Sequence, residues 1–146
     1  MLVRTLLIHA RARLSCIGTN ATLVQAARLL DDGCNMLVVC DESGRIAGVL
    51  TKTDIVRQTG RCSGASCTAP ITEAMTRNLI AVDTTEPLQG VWNLMKVNGL
   101  KNIPVLDAER KPLGVLNASD ILQSLLQEVR QEEGLLYEYV MGIGYR

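Results

Sequence analysis

The sequence predicts an α/β protein made of two β-α-β-β-α repeats that pack against each other with pseudo-twofold symmetry. The first observation is an internal repeat, because GVLTKTDIV at 48–56 returns as GVLNASDIL at 114–122, 66 residues later. The second is the order of patterns in each copy, where apolar residues at helical spacing precede two short apolar runs. The third is physical: one small three-stranded sheet leaves a face uncovered, and a twin covers it.

The first copy contains each element of this unit in order. LSCIG at 14–18 predicts a first strand, and apolar residues from 23 to 30 then recur at helical spacing. Gly33 predicts the end of that helix, because glycine readily takes the left-handed conformation of a C-cap. The apolar runs at 36–40 and 46–50, separated by the turn residues DESGR, predict two strands. A helix then begins at the repeated corner.

The second copy repeats these elements. NLIAV at 78–82 predicts its first strand, residues 88–95 its first helix, and Gly99 the end of that helix. The runs at 102–106 and 112–116 predict the two further strands. Between the copies, PITEAM at 70–75 predicts a short helical turn that starts near its proline.

The composition excludes several classes of protein. Fifteen basic residues balance fifteen acidic ones, and aromatic residues make up only 3% of the chain. No large positive field or base-stacking surface is therefore expected, which argues against a nucleic-acid partner. No apolar run approaches the roughly 18 residues that span a bilayer, so no membrane association is expected. The first residues lack a secretory cleavage pattern, and we expect a cytoplasmic protein.

The five cysteines predict reduced thiols and no metal site. Three of them, Cys16, Cys34 and Cys40, lie in or beside apolar runs, where cysteine serves as a small core residue. Cys62 and Cys67 form a C-x4-C pair, but zinc needs two more ligands and the single histidine, His9, is distant. An adventitious disulfide between Cys62 and Cys67, or a redox role for them, stays open.

The repeated motifs resemble tandem cystathionine β-synthase (CBS) domains, the Bateman module. The motifs that carry the resemblance are the strand–helix corner GVLTKTD at 48–54, the strand IPVLD at 103–107 and the stretch MTRNLIAVDTTEPL at 75–88. The chain is similar to bacterial stand-alone proteins with two CBS domains. Val38 stands where the family often has proline, and Asn117 stands where the first copy has Thr51.

The resemblance implies a division of the chain into repeats. CBS repeat 1 is expected at 8–60, a linker at 61–74, CBS repeat 2 at 75–126 and a C-terminal helical extension at 127–146. The last helical stretch is longer than one repeat needs, and its apolar residues continue past residue 126. Because CBS pairs commonly associate through such helices, a homodimer is expected.

The repeated corner is chemically suited to an anionic nucleotide. A helix N-terminus presents free N–H groups and the positive end of its dipole, which suit a phosphate. Thr51 and Thr53 add hydroxyl groups there, and the carboxylate of Asp54 can accept hydrogen bonds from a ribose diol. The structural alternative is N-capping, since threonine, serine and aspartate at a helix start stabilise it by about 1 kcal/mol.

The resemblance implies one nucleotide cleft for each corner, lined from the other repeat by its first strand. The two expected sets are Thr51, Thr53 and Asp54 with Asn78, Leu79 and Ile80, and Asn117, Ser119 and Asp120 with Leu14, Ser15 and Cys16. Lys101 occupies a position where the family often has a basic phosphate contact, and its twin, Asn35, is uncharged. The alternative interpretation of Lys101 is an ordinary surface lysine in contact with solvent. The first cleft is expected to be the stronger site.

These observations lead to three candidate functions for the protein. The first is a non-catalytic regulatory sensor that binds an adenine nucleotide (AMP, ADP, ATP, NAD(H) or S-adenosylmethionine) and reports to an unknown effector protein. The alternative is a ligand-free interaction or scaffold protein that acts through dimerisation. An enzyme is not expected, because no nucleophile and base can be assembled around His9. No cofactor is expected to be required.

Overall fold

The computed structural model describes residues 1–61 and 69–140 of the 146-residue chain. An N-terminal segment precedes the repeats and consists of a 3-10 helix (Val3–Leu6) and α1 (Leu7–Ala12). Repeat 1 then contains β1 (Cys16–Gly18), α2 (Leu23–Asp31), β2 (Leu37–Cys40), β3 (Ile46–Leu50) and α3 (Lys52–Arg61). A 3-10 helix (Ile71–Glu73) connects to repeat 2, which contains α4 (Leu88–Asn98), β4 (Asn102–Leu106), β5 (Pro112–Asn117) and α5 (Ala118–Val140).

The two helices before the central hairpins begin and end as their sequences predict. Thr22 caps α2 in a reciprocal capping box with Gln25. Gly33 follows that helix with a positive φ of 99°, and Gly99 ends α4 in the left-handed conformation, with φ 65°. Both glycines thus occupy backbone that a side chain disfavours, which confirms them as helix-ending residues.

Each repeat has a central antiparallel hairpin with the same irregularity. β2 pairs with β3, and β4 pairs with β5, with a register shift before Cys40 in the first pair and before Leu106 in the second. In repeat 1, β1 adds to β2 in parallel and gives the sheet order β1-β2-β3.

The first strand of repeat 2 differs from the prediction. Residues 78–82 form a single bridge between Val82 and Val105 rather than a regular strand, so the predicted strand is wrong there. In this parallel register the next bond needs an N–H at position 104, and Pro104 has none. Repeat 1 has Val38 at the equivalent position, and its N–H donates to the carbonyl of Ser15 at 2.9 Å.

Each repeat is completed by a segment that precedes the other repeat's first strand. Val3, Leu6 and Ala10 are buried in the core of repeat 2, while Ile71 and Met75 are buried in the core of repeat 1. A Cβ at Gly114 would lie 2.6 Å from the carbonyl carbon of Ala10, and one at Gly48 would lie 2.7 Å from the carbonyl oxygen of Thr76. The glycine of both GVL motifs is therefore needed for a close backbone approach.

The two sheets pack face to face in a third core between the repeats. Val38 and Val49 of repeat 1 are buried there against Leu106 and Val115 of repeat 2. The exchanged segments and this shared core confirm the predicted α/β fold, with two repeats related by a pseudo-twofold axis.

The last helix, α5, has 23 residues and extends beyond repeat 2. Ile121 is fully buried against that repeat, whereas Leu135, Leu136 and Val140 are exposed. No helix within the described ranges is both long and apolar enough to cross a membrane.

Candidate functional site

The corner of repeat 1 is organised around the buried carboxylate of Asp54. Thr51 lies between the end of β3 and the start of α3, and Asp54 lies in the first turn of that helix. Asp54 is only 6% exposed. Its Oδ2 accepts hydrogen bonds from the backbone N–H of Thr51 at 2.9 Å and from Thr51 Oγ1 at 3.2 Å. The carboxylate therefore caps α3 by reaching back to the residue before it.

The second oxygen of Asp54 has two longer contacts. Oδ1 accepts from Thr76 Oγ1 at 3.3 Å and from Arg57 Nη1 at 3.4 Å. Since an ionised carboxylate has about four acceptor positions, the protein itself supplies a donor to each of them. The two bonds to Oδ1 are the longer ones, and the side chain of Arg57 is 53% exposed. A ligand can therefore replace these two donors more easily than the two at Oδ2.

The structure brings the six residues of the first expected set together. Thr51, Thr53 and Asp54 from repeat 1, and Asn78, Leu79 and Ile80 from the other side, line one cavity of about 430 Å³ between the repeats. This volume lies in the roughly 300–1,000 Å³ range of small-molecule sites. The α3 corner contributes the polar side chains of Thr51, Thr53 and Asp54, and Leu79 and Ile80 contribute apolar ones. The wall of this first cleft also contains Met36, Val49, Arg57, Thr76, Gly99, Leu100, Asn102 and Pro104.

The corner of repeat 2 is capped differently. Asn117, the last residue of β5, accepts hydrogen bonds through Oδ1 from the N–H of Ser119 at 3.0 Å and from the hydroxyl of Ser119. Its Nδ2 donates to Oδ1 of Asn102 at 3.1 Å. The asparagine thus takes the capping role that Asp54 has in repeat 1, which leaves the carboxylate of Asp120 available for another partner.

That partner is Arg13. Arg13 Nε and Nη2 donate to the two oxygens of Asp120 at 2.7 and 3.2 Å, a bidentate ion pair. The hydrogen bond with Asp120 raises the pKa of Arg13 above its ordinary value. Arg13 lies 65 residues before Asn78 and therefore occupies the twin position of that residue. The first cleft has an uncharged side chain at this position, whereas the second corner has a cation that pairs with its aspartate.

The second expected set is only partly assembled. Leu14 and Ser15 line a cavity of about 310 Å³, together with Arg13 and Asn35. Asp120 is held by Arg13, and Cys16 lies exposed on β1, so its expected role as a small core residue is wrong. Burial, followed by the neighbouring Cys16 and Asp41, raises the pKa of Cys40 to about 11.

A middle cavity of about 450 Å³ joins the two corners. Lys101 lines this cavity together with Thr51 and Thr53 from the first corner and Asn117 from the second. Asn102 lines all three cavities. Thr51 and Thr53 line both this cavity and the first cleft, so Lys101 lies beside the first cleft but not in its wall.

The described residues offer no grouping of three or more His, Cys, Asp or Glu side chains that suits a metal ion. Within them, Cys16, Cys34 and Cys40 are free thiols. Cys62 and Cys67 lie outside the described residues.

Four residues that hydrogen-bond to the corner side chains were not predicted from the sequence: Arg13, Arg57, Thr76 and Asn102. Thr76 follows the predicted turn at 70–75 and Asn102 begins the predicted strand at 102–106, and both side chains hydrogen-bond to corner residues. A signal for Arg13 was available, because aligning the copies places a charged residue opposite Asn78. Arg57 lies three residues after Asp54, a spacing that brings two side chains together on a helix.

Two related α/β repeats, each completed by a segment from the other half of the chain and each with a strand–helix corner at an inter-repeat cleft, define a CBS-domain pair. The family model for the CBS domain matches residues 9–60 and 71–127, so the chain belongs to the CBS-domain family. The crystal structure of the CBS domain pair of protein MJ0100, in complex with 5′-methylthioadenosine and S-adenosyl-L-methionine, is similar, with a TM-score of 0.73 and 26% identity. The similarity covers 88% of this chain and 98% of that one.

Relatives by sequence include short and long proteins. An uncharacterized 17.7 kDa protein of Acidianus ambivalens (bps2 3′ region) is 25% identical over 136 residues, which are 92% of this chain and 81% of that protein. L-aspartate semialdehyde sulfurtransferase of Methanocaldococcus jannaschii is 31% identical over 104 residues, 70% of this chain but only 19% of that enzyme. Most of this chain is thus the CBS pair, which in the longer relative is a small part.

Proposed function

We propose that the protein is a non-catalytic regulatory module that binds an adenosine-containing ligand in the first cleft between its CBS repeats. The observation that carries this proposal is the convergence of all six residues of the first set on one cavity of about 430 Å³. These residues supply hydroxyl groups, a carboxylate and apolar side chains. A nucleoside needs these three kinds of contact for its anionic group, its ribose and its base.

Each part of such a ligand has a suitable region of the cleft. The ribose diol replaces Thr76 and Arg57 at Oδ1 of Asp54, while Oδ2 keeps its bonds to Thr51 and the helix cap is preserved. Leu79 and Ile80 contact the base. An anionic group lies at the α3 N-terminus, where free N–H groups favour negative charge.

The adenosine group is the part of the ligand that the proposal specifies. The MJ0100 domain pair, 26% identical to this chain, was crystallised with two adenosine derivatives that carry no phosphate. AMP, ADP, ATP and NAD(H) share the adenosine and add phosphates. Lys101, which lies beside Thr51 and Thr53 in the middle cavity, would then contact a phosphate extending out of the first cleft and favour these ligands.

We also infer that the two clefts are unequal. At the second corner, a ligand diol has to displace a bidentate Arg13–Asp120 pair with a contact of 2.7 Å. At the first corner it displaces two contacts of 3.3 and 3.4 Å. Charge-assisted bidentate bonds are the stronger ones, so the first cleft binds the ligand more tightly.

The cleft favours binding over catalysis. Asp54 and Arg57, an acidic and a basic group in the wall of the first cleft, are paired with each other. A general acid–base mechanism needs a group free to exchange a proton with the substrate. The effector is an unknown protein, and ligand binding acts on it by changing the surface of the module.

A second function is supported by one observation. Asp54 already has four donors from the protein, so this carboxylate is satisfied without a ligand. This fits a scaffold protein that acts through dimerisation. Exposed apolar residues of α5 such as Leu126 and Val129 favour a homodimer for either function.

Thermal melting with a ligand panel distinguishes the two functions. The panel contains AMP, ADP, ATP, NAD(H) and S-adenosylmethionine, with guanosine as a control for non-specific effects. A ligand at 100 times its dissociation constant stabilises the folded state by about 2.7 kcal/mol, which raises the melting temperature of a chain of this size by about 5–10 °C. If no adenosine compound raises the melting temperature, the result favours the scaffold function.

A further inference from the structure

A stripe of exposed residues, all but one of them apolar, runs along α5 with alternating spacings of four and three residues. It consists of Leu122, Leu126, Val129, Glu133, Leu136 and Val140, and we refer to it as the heptad stripe. Its five apolar members are between 40% and 71% exposed. This spacing is the a/d pattern of a coiled coil, in which each apolar residue packs against a second helix.

The stripe lies on a face of α5 that repeat 2 does not cover. Ile121 is buried against repeat 2, and Leu125 and Glu128 are half-buried on the same side of the helix. From Val129 to Glu138 every side chain is exposed. Most helical stability in proteins comes from packing an apolar face, so the outer three turns of α5 need a partner surface.

We propose that the heptad stripe pairs with the same stripe of a second copy as an antiparallel two-helix coiled coil. This rests on the proposed homodimer and specifies its contact. With the twofold axis at residue 131, Leu126 lies opposite Leu136 of the second copy and Leu122 lies opposite Val140 of the second copy. Val129 lies opposite Glu133 of the second copy. The stripe is thus complementary to itself, as an isologous interface requires.

Charge decides the direction of the pair. Glu133 is the single charged member of the heptad stripe and occupies an a position. In a parallel pair it would face Glu133 of the second copy, which is a like-charge contact. In the antiparallel pair Arg130 of the second copy, an e-position residue, lies beside it, and symmetry makes this contact twice. A charge in the middle of the stripe also disfavours a lipid surface as the partner.

Charge reversal on the full-length protein tests this pairing. Glu133→Arg places two arginines together and Arg130→Glu places two glutamates together, so each variant alone should raise the dimer dissociation constant at least about tenfold. An equimolar mixture of the two variants should return to within about threefold of the wild type, because both contacts are then between opposite charges. Glu138→Arg makes the same charge change outside the stripe and should leave the constant unchanged. Sedimentation equilibrium measures the wild type, the three variants and the mixture.

The outcomes separate this inference from the proposed function. An Arg130→Glu variant that dimerises like the wild type, or a mixture that stays dissociated, overturns the antiparallel pair. A strictly monomeric wild type overturns both the pair and the homodimer. Ligand-dependent melting of the same variants should be unchanged, since α5 beyond residue 128 is remote from the first cleft lining.

Discussion

Replacing Asp54 with alanine removes a carboxylate that connects three parts of the repeat 1 corner. Its oxygens hold the N–H and hydroxyl of Thr51, the hydroxyl of Thr76 and the guanidinium of Arg57. Thr76 belongs to the segment between the repeats, and its backbone pairs with Val49 of β3. The substitution therefore weakens both the start of α3 and the attachment of the connecting segment.

The cost can be worked from these contacts. Loss of a helix cap costs about 0.5–2 kcal/mol, and the remaining buried hydrogen bonds contribute about 0.5–1.5 kcal/mol each. With allowance for the longer contacts and the half-exposed arginine, Asp54→Ala should lower the free energy of unfolding by about 2–3 kcal/mol. Asp120→Ala is the matched control. It removes a partly exposed ion pair with Arg13, which is worth about 0–1 kcal/mol after solvent screening.

Thermal or urea unfolding without ligand measures this difference. At about 2–4 °C per kcal/mol for a chain of this size, Asp54→Ala should melt roughly 4–8 °C below Asp120→Ala. Equal melting temperatures would refute the capping and bridging roles assigned to Asp54. Asp54→Asn should lie between the two, because its amide oxygen can still accept from the N–H of Thr51.

Other predictions concern packing, thiol chemistry and the second cleft. Gly114→Ala places a Cβ 2.6 Å from the backbone of Ala10 and should lower the free energy of unfolding by about 1–3 kcal/mol. Gly90 lies on α4 in open space, so Gly90→Ala should raise the free energy of unfolding by about 0.5–1 kcal/mol. Urea denaturation compares the two variants. Because the pKa of Cys40 is raised to about 11, its alkylation by iodoacetamide should accelerate about tenfold per pH unit between pH 8 and 10; a rate independent of pH, by mass spectrometry, contradicts this. Arg13→Gln should tighten the weaker ligand-binding event in a calorimetric titration, and an unchanged or lost event would show that the Arg13–Asp120 pair does not compete with ligand.

The sequence repeat was sufficient to predict the architecture, because periodicity and turn residues define each strand and helix locally. It did not predict where symmetry fails. Pro104 removes one N–H and with it the regular first strand of repeat 2, a difference that appears only once the strand register is known. The exchange of the segments before each repeat was also hidden, although the glycines at 48 and 114 are its consequence.

The candidate site followed the same pattern. The residues at the first corner were predictable because their chemistry is local to one helix start. The different roles of Asp54 and Asp120 were not, since they depend on partners distant in sequence. Thr76 is 22 residues from Asp54, and Arg13 is 107 residues from Asp120. Similar motifs thus gave one carboxylate that caps a helix and one that holds an arginine.

The most direct test of the central claim is calorimetric titration of AMP and of S-adenosylmethionine into Asp54→Asn and Asp120→Asn, each first shown to be folded. If an adenosine ligand binds in the first cleft, Asp54→Asn should weaken the tighter event at least about tenfold, while Asp120→Asn keeps it within about twofold. Loss of the tighter event in Asp120→Asn alone, or its retention in both variants, would contradict a ribose contact at Asp54.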